Sequence, residues 1–195
     1  METEQLKNIP GTRLRLDKMD NATDLVFLNK VFFITDRIML AQIKEITGID
    51  GTTLQNWLKR GWVGTPDKKS YTIEHLARIL LINMMRDTMQ LAKIAYVLEY
   101  VNGNEPEDAI IKESKLYDYV CTTFNMLVQN KGTAVFGIDD IIDAVISDYV
   151  EPVSGAKRRL AYGIKIIVTT YYSAIIRSEA EAMVESISTD KIRKK

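Results

Sequence analysis

Leu54-Gln55-Asn56-Trp57-Leu58-Lys59-Arg60-Gly61-Trp62-Val63-Gly64-Thr65-Pro66-Asp67-Lys68-Lys69-Ser70-Tyr71 is the stretch whose reading decides the fold. It reads as the end of a helix, an abrupt stop and a short basic wing. Leu54, Trp57 and Leu58 recur at i, i+3, i+4, the spacing of one buried helical stripe. Gln55, Asn56, Lys59 and Arg60 are left outside. Gly61 follows, the residue best suited to the left-handed conformation that ends helices. Trp62 and Val63 then read as extended, and Pro66 pre-sets the backbone of a turn tipped by Asp67, Lys68 and Lys69. A helix that hands over to a positively charged loop suits duplex DNA: its side chains face base edges and the loop lysines face phosphates.

Upstream, Thr35 or Asp36 is a plausible N-cap for a helix in which Ile38, Met39, Ile43 and Ile46 recur at helical spacing. Thr47-Gly48 ends it, and Asp50 caps a second helix from Gly51 to Arg60, which adds Thr52 and Thr53 to the outer residues. Two helices joined by a tight turn containing Gly have the helix-turn-helix layout. Downstream, Thr72 caps a third helix from Ile73 to Arg86, with Leu76, Ile79, Leu80 and Asn83 on one face. Thr88 to Gln90 interrupts. Leu91, Ile94, Ala95 and Leu98 mark a fourth helix that stops at Asn102-Gly103.

Several short matches in the right order carry a resemblance: Ile46-Thr-Gly-Ile-Asp-Gly-Thr-Thr-Leu-Gln-Asn-Trp57, Lys59-Arg-Gly-Trp-Val63, Tyr71-Thr-Ile-Glu-His-Leu-Ala-Arg78 and Gln90-Leu-Ala-Lys-Ile94. They resemble a MerR-type winged helix-turn-helix, and more closely a YkrK-like bacterial family of unknown function that carries this module. The resemblance covers residues 35–103. It implies a bacterial sequence-specific DNA-binding transcriptional regulator. The DNA-facing set it implies is Thr52, Thr53, Gln55, Asn56, Lys59, Arg60, Lys68, Lys69, Tyr71 and Arg78. Lys44 stands where the family has a small residue, and Gln55 where it has a phosphate-binding arginine. A C-terminal cysteine cluster is missing, so metal sensing is not implied.

Bland readings stand beside these. Gln55 and Asn56 could each pair with adenine, or be solvated positions on an amphipathic helix. Lys59, Arg60, Lys68 and Lys69 could meet phosphates, or form a solvated face. Trp57 and Trp62 read as packing residues, and Tyr71 as a wing anchor.

The remaining chain sets the architecture. Its 195 residues carry 26 basic and 26 acidic side chains. Residues 51–70 hold Lys59, Arg60, Lys68 and Lys69 against Asp67 alone, a local excess of +3 (four minus one). That is a patch within a neutral protein, enough for modest electrostatic attraction to nucleic acid. Residues 1–34 read as an N-terminal arm and packing segment: 1–24 are a loosely held arm turning at Pro10-Gly11, and the apolar patches Leu25 to Leu28 and Val31 to Ile34, helical or in short strands, pack across the core. Asn104-Glu-Pro-Glu-Asp108 is the best domain boundary. Residues 104–195 then read as an all-helical domain, from Ala109 to Gln129, with a break at Lys131-Gly132. A stripe through Ile138, Ile141, Ile142, Val145 and Tyr149 follows, ended by Pro152. The last run, Ser154 to Ile187, places Leu160, Ile164, Ile167, Tyr171, Ile175 and Met183 near one face. Ile166 to Tyr172 locally resembles a strand, but the unbroken length favours a helix of about 50 Å.

No constellation for catalysis is visible. His75 is the only histidine, and without a second His or a Cys nearby it cannot make a usual zinc site; a serine triad would need this same histidine, and no Gly-x-Ser-x-Gly elbow is present. Asp139, Asp140 and Asp143 read better as helix N-terminal acids than as metal ligands. Ser154 to Lys157 opens a helix and lacks the full phosphate-loop pattern. Cys121, the only cysteine, reads as a buried small hydrophobe and excludes an intrachain disulfide, which suits the cytoplasm. No signal peptide and no membrane span are expected.

The expected protein is all-α with a small β wing: a MerR-like winged helix-turn-helix joined to a C-terminal helical domain. It is expected to be cytoplasmic, to need no cofactor and to catalyse nothing. Its expected partners are double-stranded DNA and a second copy of itself, paired through the C-terminal helices. Met126, Tyr149, Tyr171 and Tyr172 leave room for a small-molecule effector, although core packing explains them equally well. The alternative function is a protein-protein interaction module that uses the winged helix as a scaffold.

Overall fold

Helix α4, Ile73–Met85, is the axis around which the other elements are arranged. Leu76, Ala77, Ile79, Leu80, Leu81, Ile82, Met84 and Met85 are all buried, and a helix apolar on every side belongs in the centre of a protein. The computed structural model describes residues 4–103, 106–129 and 137–193. In these residues the order is α1 (Asp24–Val31), β1 (Ile38–Met39), α2 (Leu40–Thr47), α3 (Gly51–Lys59), β2 (Ser70–Tyr71), α4, α5 (Leu91–Asn102), α6 (Glu113–Gln129), α7 (Ile138–Val145) and α8 (Ala156–Arg193). Helix α4 packs against α2, α5, α6, α8 and β2. Buried residues from both halves, Leu54 and Trp57 as well as Ile164 and Ile167, form one continuous core. At roughly 1.5–3 kcal/mol for each large apolar side chain fully removed from water, this core is the main stabilising term.

The mostly helical architecture with a small sheet matches expectation, with corrections. Residues Thr35 and Asp36 do not cap α2. Its N-cap is Met39, and Ile38–Met39 is a strand pairing antiparallel with Ser70–Tyr71, in the register Ile38 to Tyr71 and Met39 to Ser70. Alternation across the strand buries Ile38 and Tyr71 and exposes Met39. Such a short ladder has no local signature, because the partner strand defines it.

The N-terminal arm is not loosely held at its turn. Ile9, Pro10 and Gly11 are buried. The Tyr117 hydroxyl donates to the Pro10 carbonyl at 2.7 Å, and Asn83 Nδ2 donates to the Gly11 carbonyl at 2.8 Å. Gly11 has φ +75°, and a Cβ there would sit 2.7 Å from the Leu80 carbonyl oxygen, so only glycine fits the approach to α4. Helix α1 packs on α6, as a core-crossing segment should, through Phe27 and Leu28. Phe33 and Ile34 depart from that expectation and lie open to solvent.

Residues 104–105 of the expected boundary and the break at Lys131-Gly132 lie outside the described residues. Helix α7 ends at Val145, ahead of Pro152, and Tyr149 lies beyond its end. The strand-like run Ile166 to Tyr172 is helical within α8, whose 38 residues extend about 57 Å. Leu160, Ile164, Ile167, Tyr171 and Ile175 are buried, but Met183 is not, because α8 leaves the body after Ile175. Gly163 allows α8 to approach α5 so closely that a Cβ would collide with Val101. Tyr171 stacks tilted on Phe124 at 4.8 Å. No described helix is long and apolar enough to cross a membrane.

Candidate nucleic-acid interface

Three local devices build the surface around α3. Gly48, at φ +73°, closes α2 in the left-handed conformation. Asp50 then caps α3: its carboxylate accepts from the Thr53 backbone N–H at 2.9 Å and from the Thr53 hydroxyl at 2.6 Å. These bonds, the hydroxyl's first, hold the Asp50 carboxyl below its ordinary value of 3.8. Leu54 and Trp57 anchor the inner face of the helix at 0% and 1% exposure. The helix stops where expected: Arg60 is the C-cap, and Gly61 follows at φ +72°.

The wing returns from there. Val63 and Tyr71 are buried, and Ser70 donates its N–H to the Asp67 carbonyl at 2.9 Å. Lys68 (φ 48°) and Lys69 (φ 65°) occupy the two central positions of the turn, both left-handed. This is the type I′ pattern whose twist matches a hairpin. Arg37 braces the turn from β1's flank, its Nη1 lying 3.2 Å from Asp67 Oδ2. The wing's base is held by His75. Its Nδ1 accepts the Thr72 N–H at 3.2 Å, closing a capping box at the start of α4. Burial lowers the His75 pKa from its ordinary 6.5, and this outweighs the bond to Thr65 that would raise it.

Thr52, Gln55, Asn56, Lys59 and Arg60 are exposed on the outer side of α3, and Lys68 and Lys69 are exposed at the turn. Seven of the ten expected DNA-facing residues are therefore open to a partner, and three are not. The Thr53 hydroxyl is consumed by the cap. Tyr71 is 3% exposed and belongs to the core side of the ladder. Arg78 is turned inward, donating from Nε to the Trp62 carbonyl at 3.0 Å and from Nη1 to Glu113 at 2.7 Å. These corrections share one cause: helical position fixes a face, whereas pairing partners distant in sequence decide what that face meets. Arg37 joins the set unanticipated, since only the β1–β2 pairing brings it to the wing. The Arg60 guanidinium lies over the Trp62 ring at 5.2 Å, a cation–π contact that keeps its charge at the helix end.

Among the described residues no three His, Cys, Asp or Glu side chains are placed to hold a metal ion. Asp139 pairs with Lys165 at 2.7 Å. Cys121 is fully buried, and burial pushes its thiol pKa up. A family model described as a domain of unknown function (DUF1836) matches residues 4–120. No curated protein and no solved structure matches the chain.

Proposed function

Since the chain belongs to the family described as a domain of unknown function (DUF1836), we propose from its geometry that it is a sequence-specific regulator of transcription, binding double-stranded DNA through a MerR-like winged helix-turn-helix. One observation carries the reading. The polar outer face of α3, with Thr52, Gln55, Asn56 and Lys59, accompanies a hairpin turn whose two tip residues are exposed lysines. In this reading α3 enters the major groove, Gln55 and Asn56 read base edges, and Lys59, Arg60, Lys68 and Lys69 meet phosphates.

A second copy completes it. Beyond Ile175, α8 carries Ile176, Ala180, Met183 and Ile187 exposed at i, i+4, i+7 and i+11. That is the alternating four-and-three spacing of a coiled-coil seam, and Arg177 and Glu181 pair along its flank at 3.5 Å. Two chains joined along this seam would offer two α3 helices to half-sites about 34 Å apart.

The test is retention of duplex fragments from the protein's own promoter region at about 50 and 200 mM salt. Wild-type protein is compared with Lys59→Ala/Lys68→Ala/Lys69→Ala. Supporting results are selective retention, a steep salt dependence, and a slope shallower by about 3 in the variant. A folded protein that retains no duplex at low salt sinks the reading. Met183→Glu/Ile187→Glu should give monomers by sedimentation and weaken binding to paired half-sites.

One feature favours the alternative of a protein-binding module. Phe33 and Ile34, 85% and 93% exposed, lie in the segment leading into β1. An exposed apolar pair beside a short edge strand suits a protein partner. Phe33→Ser/Ile34→Ser would abolish such an interaction and leave duplex binding unchanged.

A further inference from the structure

Helix α8 presents one uninterrupted face that runs from the body into the free tail. Beyond Ile175 it carries Ile176, Ala180, Met183 and Ile187, all exposed. Traced backwards, the same alternation of three and four continues through Ser173, Thr169, Ile166 and Tyr162. Of these Ile166 is half-buried and the others are exposed. The body half and the tail half each rise about 17 Å at 1.5 Å per residue. Their boundary falls at Ile175, where α8 leaves the body. Together they make about three and a half heptads, the length of a sustained seam, whereas the tail alone makes about two.

The body half is flanked on both sides. Helix α5 lies antiparallel along one of them: Gly163 faces Val101, and the Thr88 hydroxyl, just ahead of α5, donates to the Thr170 carbonyl at 3.2 Å. From this side Tyr100 meets Tyr162 edge-on, with ring centroids 6.1 Å apart. Tyr96 stands one turn earlier on the same face of α5. The three tyrosines are exposed and form a cradle beside the seam. On the other side Lys165 binds Asp139, in the first turn of α7, at 2.7 Å.

This flanking selects the occupant. A body half laid on a body half brings the flanking helices of both copies together. A tail is a single bare helix and fits between α5 and α7. Laid antiparallel, the tail of a second copy sets Ile187 over Tyr162, Met183 over Ile166, Ala180 over Thr169 and Ile176 over Ser173. Large side chains meet at the ends and a small one sits near the middle. The Ser173 hydroxyl already donates to the Thr170 carbonyl at 2.7 Å, so it needs no partner across the seam. Charge points the same way. Residues 176–187 carry Glu179, Glu181 and Glu185 against Arg177. Lys93, exposed one turn before Tyr96 on α5, makes no ion pair among the described residues.

We propose that the tyrosine face of α5 and α8 is the docking site for the α8 tail of a second copy lying antiparallel, so that each tail clasps the body of the other. The docking site rests on the pairing of two copies along α8 and not on DNA binding, and its test uses no DNA.

The full chain is prepared as Thr169→Cys and as Ala180→Cys, both at exposed positions, and oxidised mildly. Cys121 is buried and takes no part. In the antiparallel pair Thr169 faces Ala180 of the other copy. A mixture of the two variants should therefore form a covalent dimer, and neither variant alone should. Tyr96→Ser/Tyr100→Ser, folded by circular dichroism, should raise the dimer dissociation constant at least about tenfold in sedimentation. A pairing confined to the tails would not respond to those tyrosines. Cross-linking of either cysteine variant by itself, no cross-linking of the mixture, or unchanged dimer affinity in Tyr96→Ser/Tyr100→Ser overturns the docking site while the pairing stands. A wild-type chain that stays monomeric in sedimentation overturns both.

Discussion

Arg78 Nη1 lies 2.7 Å from Glu113 Oε1, and with it α4 grips the first turn of α6. The two side chains are 15% and 16% exposed, so the pair is largely removed from water. Breaking such a pair leaves the surviving charge uncompensated. Arg78→Met should cost about 3 kcal/mol by urea denaturation. Arg78→Met/Glu113→Leu should recover most of that loss, since a buried ion pair contributes little beyond an apolar pair of similar volume. If the double variant is as unstable as the single one, the pair is not what holds the two helices.

The wing tip carries two lysines in a conformation that L-residues other than Asn, Asp and Gly avoid, at a cost of roughly 1–2 kcal/mol for each such residue. Lys68→Asn/Lys69→Gly supplies the preferred turn sequence. It should raise stability by about 1 kcal/mol in a thermal melt. On the DNA reading the same change removes two phosphate contacts and lowers the salt slope by about 2. A variant both more stable and weaker in binding would show that strain at this turn is kept for its charge.

His75 makes the wing sensitive to acid. Burial lowers its folded pKa below the ordinary 6.5. Between those two values the unfolded chain binds the extra proton and the folded chain does not, so stability rises with pH across that window. The contribution is whole above 6.5 and is lost as pH falls through the folded value. Protonated Nδ1 can no longer accept the Thr72 N–H. Urea midpoints measured from about pH 7.5 down to 5.5 should fall for wild type and fall less for His75→Gln. Parallel curves would rule out His75 as the cause.

Gly163 marks where α8 and α5 come closest. Gly163→Ala places a methyl against the branched, stiff side chain of Val101. Although alanine is the better helix former by about 1 kcal/mol, overpacking costs about 1–3 kcal/mol. The expected net is destabilisation in denaturant. Val101→Ala in the Gly163→Ala background should restore part of it, and failure to do so would place the crowding elsewhere.

What could be read from the chain was what local chemistry determines. Asp50 as a cap, Gly48 and Gly61 as stops, the turn at Lys68-Lys69 and the start of α4 at Thr72 all follow from side chains acting on their own backbone within a few residues. The inner stripe of α3 followed from periodicity. The rest depends on partners far along the chain. Nothing near Arg78 signals Glu113, and nothing near Ile38 signals Tyr71. Pro10-Gly11 has the composition of a free turn, yet the side chains that hold it, Asn83 and Tyr117, lie on α4 and α6. The periodicity of α8 is unbroken to Met183, but only tertiary packing decides where a helix leaves the body.

That buried loop makes one part of the fold depend on another far along the chain. The Pro10 carbonyl waits for a hydroxyl 107 residues later. Ile9 to Gly11 therefore cannot reach their final bonds until α4 and α6 stand beside them. A short loop with the composition of a free turn is thereby tied to two helices at once, and loosening either helix would release it.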